Sequence, residues 1–268
     1  VPRFSICRNQ GFSRKRDWRN LRILRSAMHM GIHMSISRNM AMVKNDFLKI
    51  LQSVDAFFPI GAFTLSNGLE DYVITGRIKT HEELETYLKG FIQMFPYQDL
   101  GLLHLSYCHA EEKDALIRLD QLANAMKSAM EVRGGSSKMC VRYLKARESM
   151  GDCGGMLKWY FDQIRRNHLT GFHPIALGIY GASLDMEEDL LLCMYSYSVL
   201  SAIVNNAVKL VPLSQMEGQR ILLKTLGHLE TVVEKVRQIQ ETDLGVSGGA
   251  FEIHCMNHER LYSRLYMS

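Results

Sequence analysis

The sequence lacks most of the features that mark secreted, membrane-spanning or zinc-stapled proteins. Its six cysteines stand at irregular spacings and form no C-x-x-C pair, which argues against a disulfide framework and a zinc ribbon. No uninterrupted apolar run approaches the ~20 residues that a membrane helix needs. The arginine-rich start is not followed by the apolar block of a secretory signal. We therefore expect a cytoplasmic protein with reduced thiols.

Catalytic motifs are equally scarce. The sequence contains no G-x-x-x-x-G-K-S/T phosphate loop, no G-x-G-x-x-G dinucleotide motif, no H-E-x-x-H metal motif and no G-x-S-x-G nucleophile turn. These absences predict a protein that is not an enzyme. His104 and His109 lie near an apolar helix face, where satisfied or surface histidines are commoner than metal ligands.

The strongest metal candidate in the sequence is the group His254, Cys255 and His258. The three side chains offer suitable donor atoms, but their spacing matches no common structural zinc pattern and no fourth ligand is evident. A helical metal-dependent enzyme that uses these three residues is therefore kept as an alternative hypothesis. It requires the three side chains to converge with a further ligand.

Positive charge is concentrated at the start of the chain. Residues 1–43 contain nine Lys or Arg against the single acidic residue Asp17, whereas the remainder is mildly acidic. A basic arm of this kind is compatible with a nucleic-acid binder, which is a second alternative hypothesis. The simpler interpretation is that residues 1–45 are a disordered extension or are not native to the protein.

From residue 46 onward the apolar residues recur with helical spacing, and no segment alternates with the period of a strand for long. The first apolar stripe runs from Phe47 to Phe58 and is followed by Pro59. Thr80 and Ser214 each begin a capping-box pattern, S/T-x-x-E, before an apolar stripe. We expect an all-α, single-domain bundle of about ten helices over 46–242. Residues 243–268 are expected to form a flexible linker and a partner-binding tail.

Four sequence blocks resemble, in order, the signature blocks of the UreF family of urease accessory proteins. They are LQSVDAFFPIGAFTLSNGLEDYV (51–73), HPIALGIYGASL (173–184), VKLVPLSQMEGQRIL (208–222) and HERLYSRLYMS (258–268), the last similar to the Helicobacter form. The resemblance implies an all-α dimer that bridges the GTPase UreG and the scaffold UreH, also called UreD. That assembly delivers nickel to apo-urease. It implies no tightly bound cofactor, because nickel is handled by the complex.

The first of these blocks contains a turn with unusual chemistry, FPIGAFTLSNGLE. Pro59 and Gly61 are predicted to end the first helix, and Ser66 or Asn67 to cap the next. Glu70 then stands in the first turn, where a carboxylate suits the positive end of the helix. We expect the turn to present Phe63 at the surface.

The resemblance implies that the turn lies close to the C-terminal tail. Arg264 is then the expected partner of the turn carbonyls or of Glu70. The predicted partner-binding residues are Phe63, Ser66, Gly68 and Glu70 in the turn, Lys209, Pro212, Gln215 and Gln219 in the third block, and Tyr262, Arg264, Leu265 and Tyr266 in the tail.

Two departures from the family pattern carry further expectations. Leu65 stands where many family members have a His or Tyr, and Phe63 replaces a Tyr, so hydroxyl-mediated contacts are lost there. Gly134-Gly135 follows a segment that is helical in the family, and we expect a local break in the helix because each glycine costs up to about 1 kcal/mol in a helix interior.

Deletion of residues 1–41 is expected to leave folding and complex formation intact. The segment has no sustained apolar stripe, and the family resemblance begins after it. Thermal unfolding followed by circular dichroism checks this prediction. A large fall in melting temperature on deletion would contradict it.

Overall fold

The computed structural model describes residues 45–246 and 248–267, and the chain from Asp46 onward forms one compact unit. The basic arm and the nucleic-acid hypothesis attached to it therefore lie outside the described residues, apart from the arm's last residue.

Within the described ranges all regular structure is helical, which confirms the predicted all-α class. A helix over 45–54, called α1, precedes eleven more α-helices. These are α2 (Leu69–Ile74), α3 (His81–Met94), α4 (Asp99–Cys108), α5 (Lys113–Met126), α6 (Met130–Ser149), α7 (Gly155–Arg165), α8 (His173–Ser183), α9 (Glu188–Leu210), α10 (Gln215–Leu226), α11 (Leu229–Val236) and α12 (Gly249–Asn257).

Both predicted capping boxes are present. The hydroxyl of Thr80 accepts a hydrogen bond from the backbone N–H of Glu83, and the Glu83 carboxylate accepts one from the N–H of Thr80. Ser214 and Glu217 make the same reciprocal pair at the start of α10. Each box satisfies two N–H groups that a helix start would otherwise leave without partners.

The first helix ends earlier than the sequence predicts. α1 stops at residue 54, and the side chain of Asp55 accepts a hydrogen bond of 2.7 Å from the N–H of Phe57, which turns the chain before Pro59 is reached. As a result Phe58 is buried, whereas Phe57 is 95% exposed and does not continue the apolar stripe.

Helix α8 lies at the centre of the core, where nearly every one of its residues is buried. It packs against α4, α6 and α7. The closest approach is at Gly178, where a Cβ atom would lie 2.2 Å from the Ser106 hydroxyl oxygen and 2.6 Å from the Leu103 carbonyl oxygen. The small residues of the second signature block therefore allow α4 and α8 to pack backbone to backbone.

Helix α9 is the longest element, with 23 residues. It is long and apolar enough to pass a composition test for a membrane span, with a mean hydropathy of 1.4 over its best window. Half of that window is buried inside the protein. Core helices commonly pass the same test, so the finding is weak evidence for a span.

The predicted helix break at Gly134-Gly135 is wrong, because α6 runs through both residues without interruption. A Cβ atom at Gly135 would lie 2.7 Å from the Cδ2 atom of Leu65, so the missing side chain makes room for the turn. Leu65 is buried in that space. Packing of the turn against α6 at Gly135 thus helps to offset the weak helix propensity of this segment.

The segment predicted as a flexible linker contains a further helix. α12 packs against α2 and α6, and Cys255 on it is fully buried. Phe251, one helical turn earlier, contacts the rings of Tyr87 and Phe91 with centroid separations of 6.5 and 5.9 Å. The apolar residues of α12 do not form a single helical stripe, and the glycines at its start favoured a linker, so the sequence did not predict this helix.

Gly178→Ala is expected to destabilise the protein by about 2 kcal/mol, because the added methyl group overlaps backbone atoms of α4 that cannot rotate away. Gly134→Ala is the matched control. It also adds a methyl group inside a helix, but nothing lies within 4 Å of the new atom, so we expect a gain of about 0.5–1 kcal/mol. Urea unfolding of both variants measures the difference. Equal stabilities would contradict the close approach at Gly178.

Candidate functional site

Three residues of the turn between α1 and α2 have left-handed backbone. Gly61 (φ 80°), Asn67 (φ 53°) and Gly68 (φ 78°) all have positive φ, which glycine and asparagine tolerate best. Gly68, rather than Ser66 or Asn67, occupies the N-cap position of α2. The hydroxyl of Ser66 instead accepts a weak hydrogen bond of 3.4 Å from the N–H of Glu70. The predicted capping role is therefore only partly correct.

Three side chains from other helices bind the backbone carbonyls of this turn. Arg142 donates to the carbonyl of Ile60, Asn206 to that of Leu65 and Tyr87 to that of Asn67, at 3.2, 3.0 and 2.8 Å. None of these three donors was identified from the sequence, because they are 20 to 141 positions away along the chain.

These three contacts hold the backbone of the turn against α3, α6 and α9. The turn also presents Phe63 at the surface, as predicted, with 59% of its side chain exposed.

Glu70 is the central residue of the site, and its side chain is only 2% exposed. One carboxylate oxygen accepts a hydrogen bond of 2.7 Å from the N–H of Leu265, and the other accepts one of 3.2 Å from the N–H of Tyr266. The second oxygen also contacts Nε2 of His258 at 2.9 Å. The carboxylate therefore holds the tail by its backbone.

The predicted pairing of Arg264 with Glu70 or with turn carbonyls is wrong. The guanidinium of Arg264 forms an ion pair with Glu131, in the first turn of α6. Glu131 also contacts Nδ1 of His258 at 2.6 Å, so the imidazole of His258 lies between two carboxylates. Each ring nitrogen of His258 therefore has a carboxylate oxygen within hydrogen-bond distance.

The tail does reach the turn itself, through its last described residue. The N–H of Met267 donates a hydrogen bond of 2.7 Å to the carbonyl of Thr64. The predicted contact between tail and turn is present, but backbone groups make it rather than the guanidinium. Glu131 carries no motif signal, so the sequence offered no way to select it.

The docked tail leaves large apolar side chains in solvent. Tyr262 is fully exposed and Leu265 is 72% exposed, although the backbone of Leu265 is held by Glu70. Tyr266 is partly buried, and this burial, together with the nearby Glu70, raises the pKa of its phenol. Exposed apolar groups on a well-anchored backbone are typical of interaction surfaces.

The predicted residues of the third block lie at the corner between α9 and α10. All four are exposed, and they are Lys209, Pro212, Gln215 and Gln219. Asn206, which holds the carbonyl of Leu65, lies one helical turn before Lys209 on α9. The same helix thus carries the corner residues and anchors the turn.

The three candidate metal ligands of the tail do not converge. Nδ1 of His254 contacts the carboxylate of Asp71 at 2.5 Å, and its ring stacks on Tyr72 at 3.6 Å. The thiol of Cys255 lies against Gly68, and burial raises its pKa far above the usual value. His258 is occupied by its two carboxylates. The geometry therefore does not support the enzyme hypothesis based on these residues.

Comparisons with known proteins identify the family that the signature blocks resemble. The family model described as UreF matches residues 78–226. The chain is 35% identical over 222 residues to the urease accessory protein UreF of Actinobacillus pleuropneumoniae serotype 5b, covering 82% of this chain and 97% of the relative. It is also 35% identical over 226 residues to the UreF of Haemophilus influenzae strain PittGG, covering 83% and 96%. The chain belongs to the UreF family of urease accessory proteins.

Proposed function

We propose that this chain bridges the GTPase UreG and the scaffold UreH/UreD in the complex that delivers nickel to apo-urease, and that it catalyses no reaction itself. The observation that carries the proposal is the docking of residues 258–267 onto the turn through buried Glu70. Docking of the tail creates a surface in which exposed apolar side chains are carried by a backbone that is already ordered.

Preorganisation is the physical reason why this surface suits an adaptor. A partner that binds a loose tail must order it, and each immobilised flexible side chain costs about 0.5–1.5 kcal/mol. Here the backbone at Leu265 and Tyr266 is already held by hydrogen bonds to Glu70. Contacts of Leu265 and Tyr262 with the partner can then contribute to affinity without the cost of ordering the tail backbone.

We assign the turn, the tail and the corner between α9 and α10 to the surface that receives UreG. The corner offers one cation, Lys209, and two exposed amides, Gln215 and Gln219, around Pro212. Asn206 links this corner to the turn, because it donates to the carbonyl of Leu65. A partner that contacts both regions would therefore bind one connected piece of the fold.

The remaining parts of the proposal follow from membership of the family. The chain would act in the cytoplasm, as a homodimer within the larger complex with UreH/UreD, UreG and apo-urease. Nickel would be the cargo of that complex rather than a resident cofactor of this chain.

The decisive experiment combines co-purification with activation in cells. The full chain is co-expressed with cognate UreH and UreG, and urease activity is measured in cells that lack this chain and in cells that have it restored. We expect recovery of a complex that contains all three proteins and restoration of activity. Failure of both would refute the bridging function.

Arg264→Ala is expected to keep the helical fold and the interaction with UreH but to weaken UreG recruitment at least tenfold, about 1.4 kcal/mol. The substitution removes the ion pair with Glu131 and so loosens the tail that carries Leu265 and Tyr266. The measurement is capture of UreG by the purified pair of this chain and UreH.

Arg260→Ala is the matched control for this prediction. Arg260 is also an exposed arginine of the tail, but it has no ion-pair partner among the described residues. We expect it to retain UreG binding, and circular dichroism verifies the fold of both variants. Undiminished UreG binding by a folded Arg264→Ala variant would contradict the proposed role of the docked tail.

A further inference from the structure

A second group of metal-ligating side chains lies away from the tail, where α4 meets the start of α9. His104 and Cys108 are one helical turn apart on α4, and Glu188 is the first residue of α9. Nδ1 of His104 is hydrogen-bonded to the carboxylate of Glu188. The sulfur of Cys108 lies 3.7 Å from that nitrogen and 3.9 Å from the carboxylate oxygen.

These separations are close to those of donor atoms around one metal ion. With metal–sulfur and metal–nitrogen bonds of about 2.3 and 2.0 Å, a tetrahedral ion separates its sulfur and nitrogen ligands by roughly 3.5 Å. The observed distance between Cys108 and His104 is 3.7 Å. The hydrogen bond between His104 and Glu188 would have to open by roughly 1 Å, which rotation of the Glu188 side chain permits.

The neighbouring residues hold the two helices together and leave an entrance. The hydroxyl of Tyr107 donates a hydrogen bond of 2.7 Å to the carbonyl of Met186, which fixes the loop before α9 beside the end of α4. His104 is buried and Glu188 is half-buried, but Cys108 is exposed, so an ion can approach from the thiol side.

The local charge also favours a cation. Asp185 and Glu187 flank the site on the same loop. Arg237 forms its ion pair with Asp189 rather than with Glu188. Among the residues that the structure describes, this is the one group of three such side chains whose donor atoms lie within 4.8 Å of one another.

We propose that His104, Cys108 and Glu188 form a binding site for a divalent transition metal of the Zn²⁺, Co²⁺ and Ni²⁺ class. Imidazole nitrogen, thiolate sulfur and carboxylate oxygen are the donors that such borderline ions accept together. On binding, the thiol proton of Cys108 passes to solvent, and the proton on Nδ1 of His104 leaves that nitrogen for solvent or is replaced by one on Nε2. A water molecule completes the coordination. The site is separate from the surface formed by the tail and the turn, and the proposal does not rest on the bridging function.

Co²⁺ is the probe for this site because its complexes absorb visible light. The reduced full chain is titrated with Co²⁺, and thiolate-to-cobalt charge-transfer bands are recorded together with the visible bands of tetrahedral cobalt. We expect a thiolate-dependent site with one equivalent of cobalt. Added Zn²⁺ and Ni²⁺ should displace the cobalt and remove its bands.

Cys108→Ser is expected to abolish the charge-transfer band and to weaken Co²⁺ binding at least tenfold. His104→Gln should weaken binding to a similar extent and shift the visible bands. Cys153→Ser is the matched control, because Cys153 is a partly exposed thiol outside the cluster, and its spectrum should equal that of the unmodified chain.

Thermal unfolding separates ligand loss from misfolding, since His104 also ties α4 to α9 through Glu188. A charge-transfer band that persists in folded Cys108→Ser would overturn the proposal. So would the absence of any such band in the unmodified chain. In either case the cluster would be a hydrogen bond between two helices with a thiol beside it.

Discussion

The buried carboxylate of Glu70 is the interaction on which the candidate site depends. A carboxylate that is 2% exposed is costly unless its charge is balanced and its oxygens are hydrogen-bonded. Here the balance comes from the imidazole of His258, from two backbone N–H groups of the tail and from the positive end of α2. His258 and the two N–H groups can serve only if the tail is docked, so burial of Glu70 and docking of the tail are one event.

Glu131 extends this arrangement to α6. It contacts the second nitrogen of His258 and the guanidinium of Arg264, so Glu70, His258, Glu131 and Arg264 form one chain of contacts. Removal of one member would leave a buried partner uncompensated, which typically costs more than the contact itself contributes. The tail is therefore held by a connected network rather than by independent contacts, and its exposed apolar residues are carried on an anchored backbone.

The core supplies the rigid support for that network. Gly178 lets α4 and α8 meet at backbone distance. Gly135 opens a space on α6 that Leu65 fills, which seats the turn against the same helix that carries Glu131. A side chain at Gly135 would therefore push the turn away from its anchors. Gly134 and Gly135 look alike in sequence, yet of these two only Gly135 has a contact that requires the missing Cβ.

The sequence by itself determined the features whose causes lie within a few residues of one another. The capping boxes at Thr80 and Ser214, the start of α8 at His173 and the surface position of Phe63 each follow from local hydrogen bonding and turn chemistry. Recognition of the family added the expectation that tail and turn meet.

Tertiary structure decided which partners meet across the chain. The pairing of Arg264 with Glu131, the filling of Gly135 by Leu65 and the packing of α12 on α2 join residues about 70 to 190 positions apart. Local propensity carries no information about such distances, since the same arginine can pair with any nearby carboxylate. The packing of α2, α6 and α12 determines these partners. It places the carboxylate of Glu131 beside Arg264 and the carboxylate of Glu70 beside the backbone N–H groups of the tail.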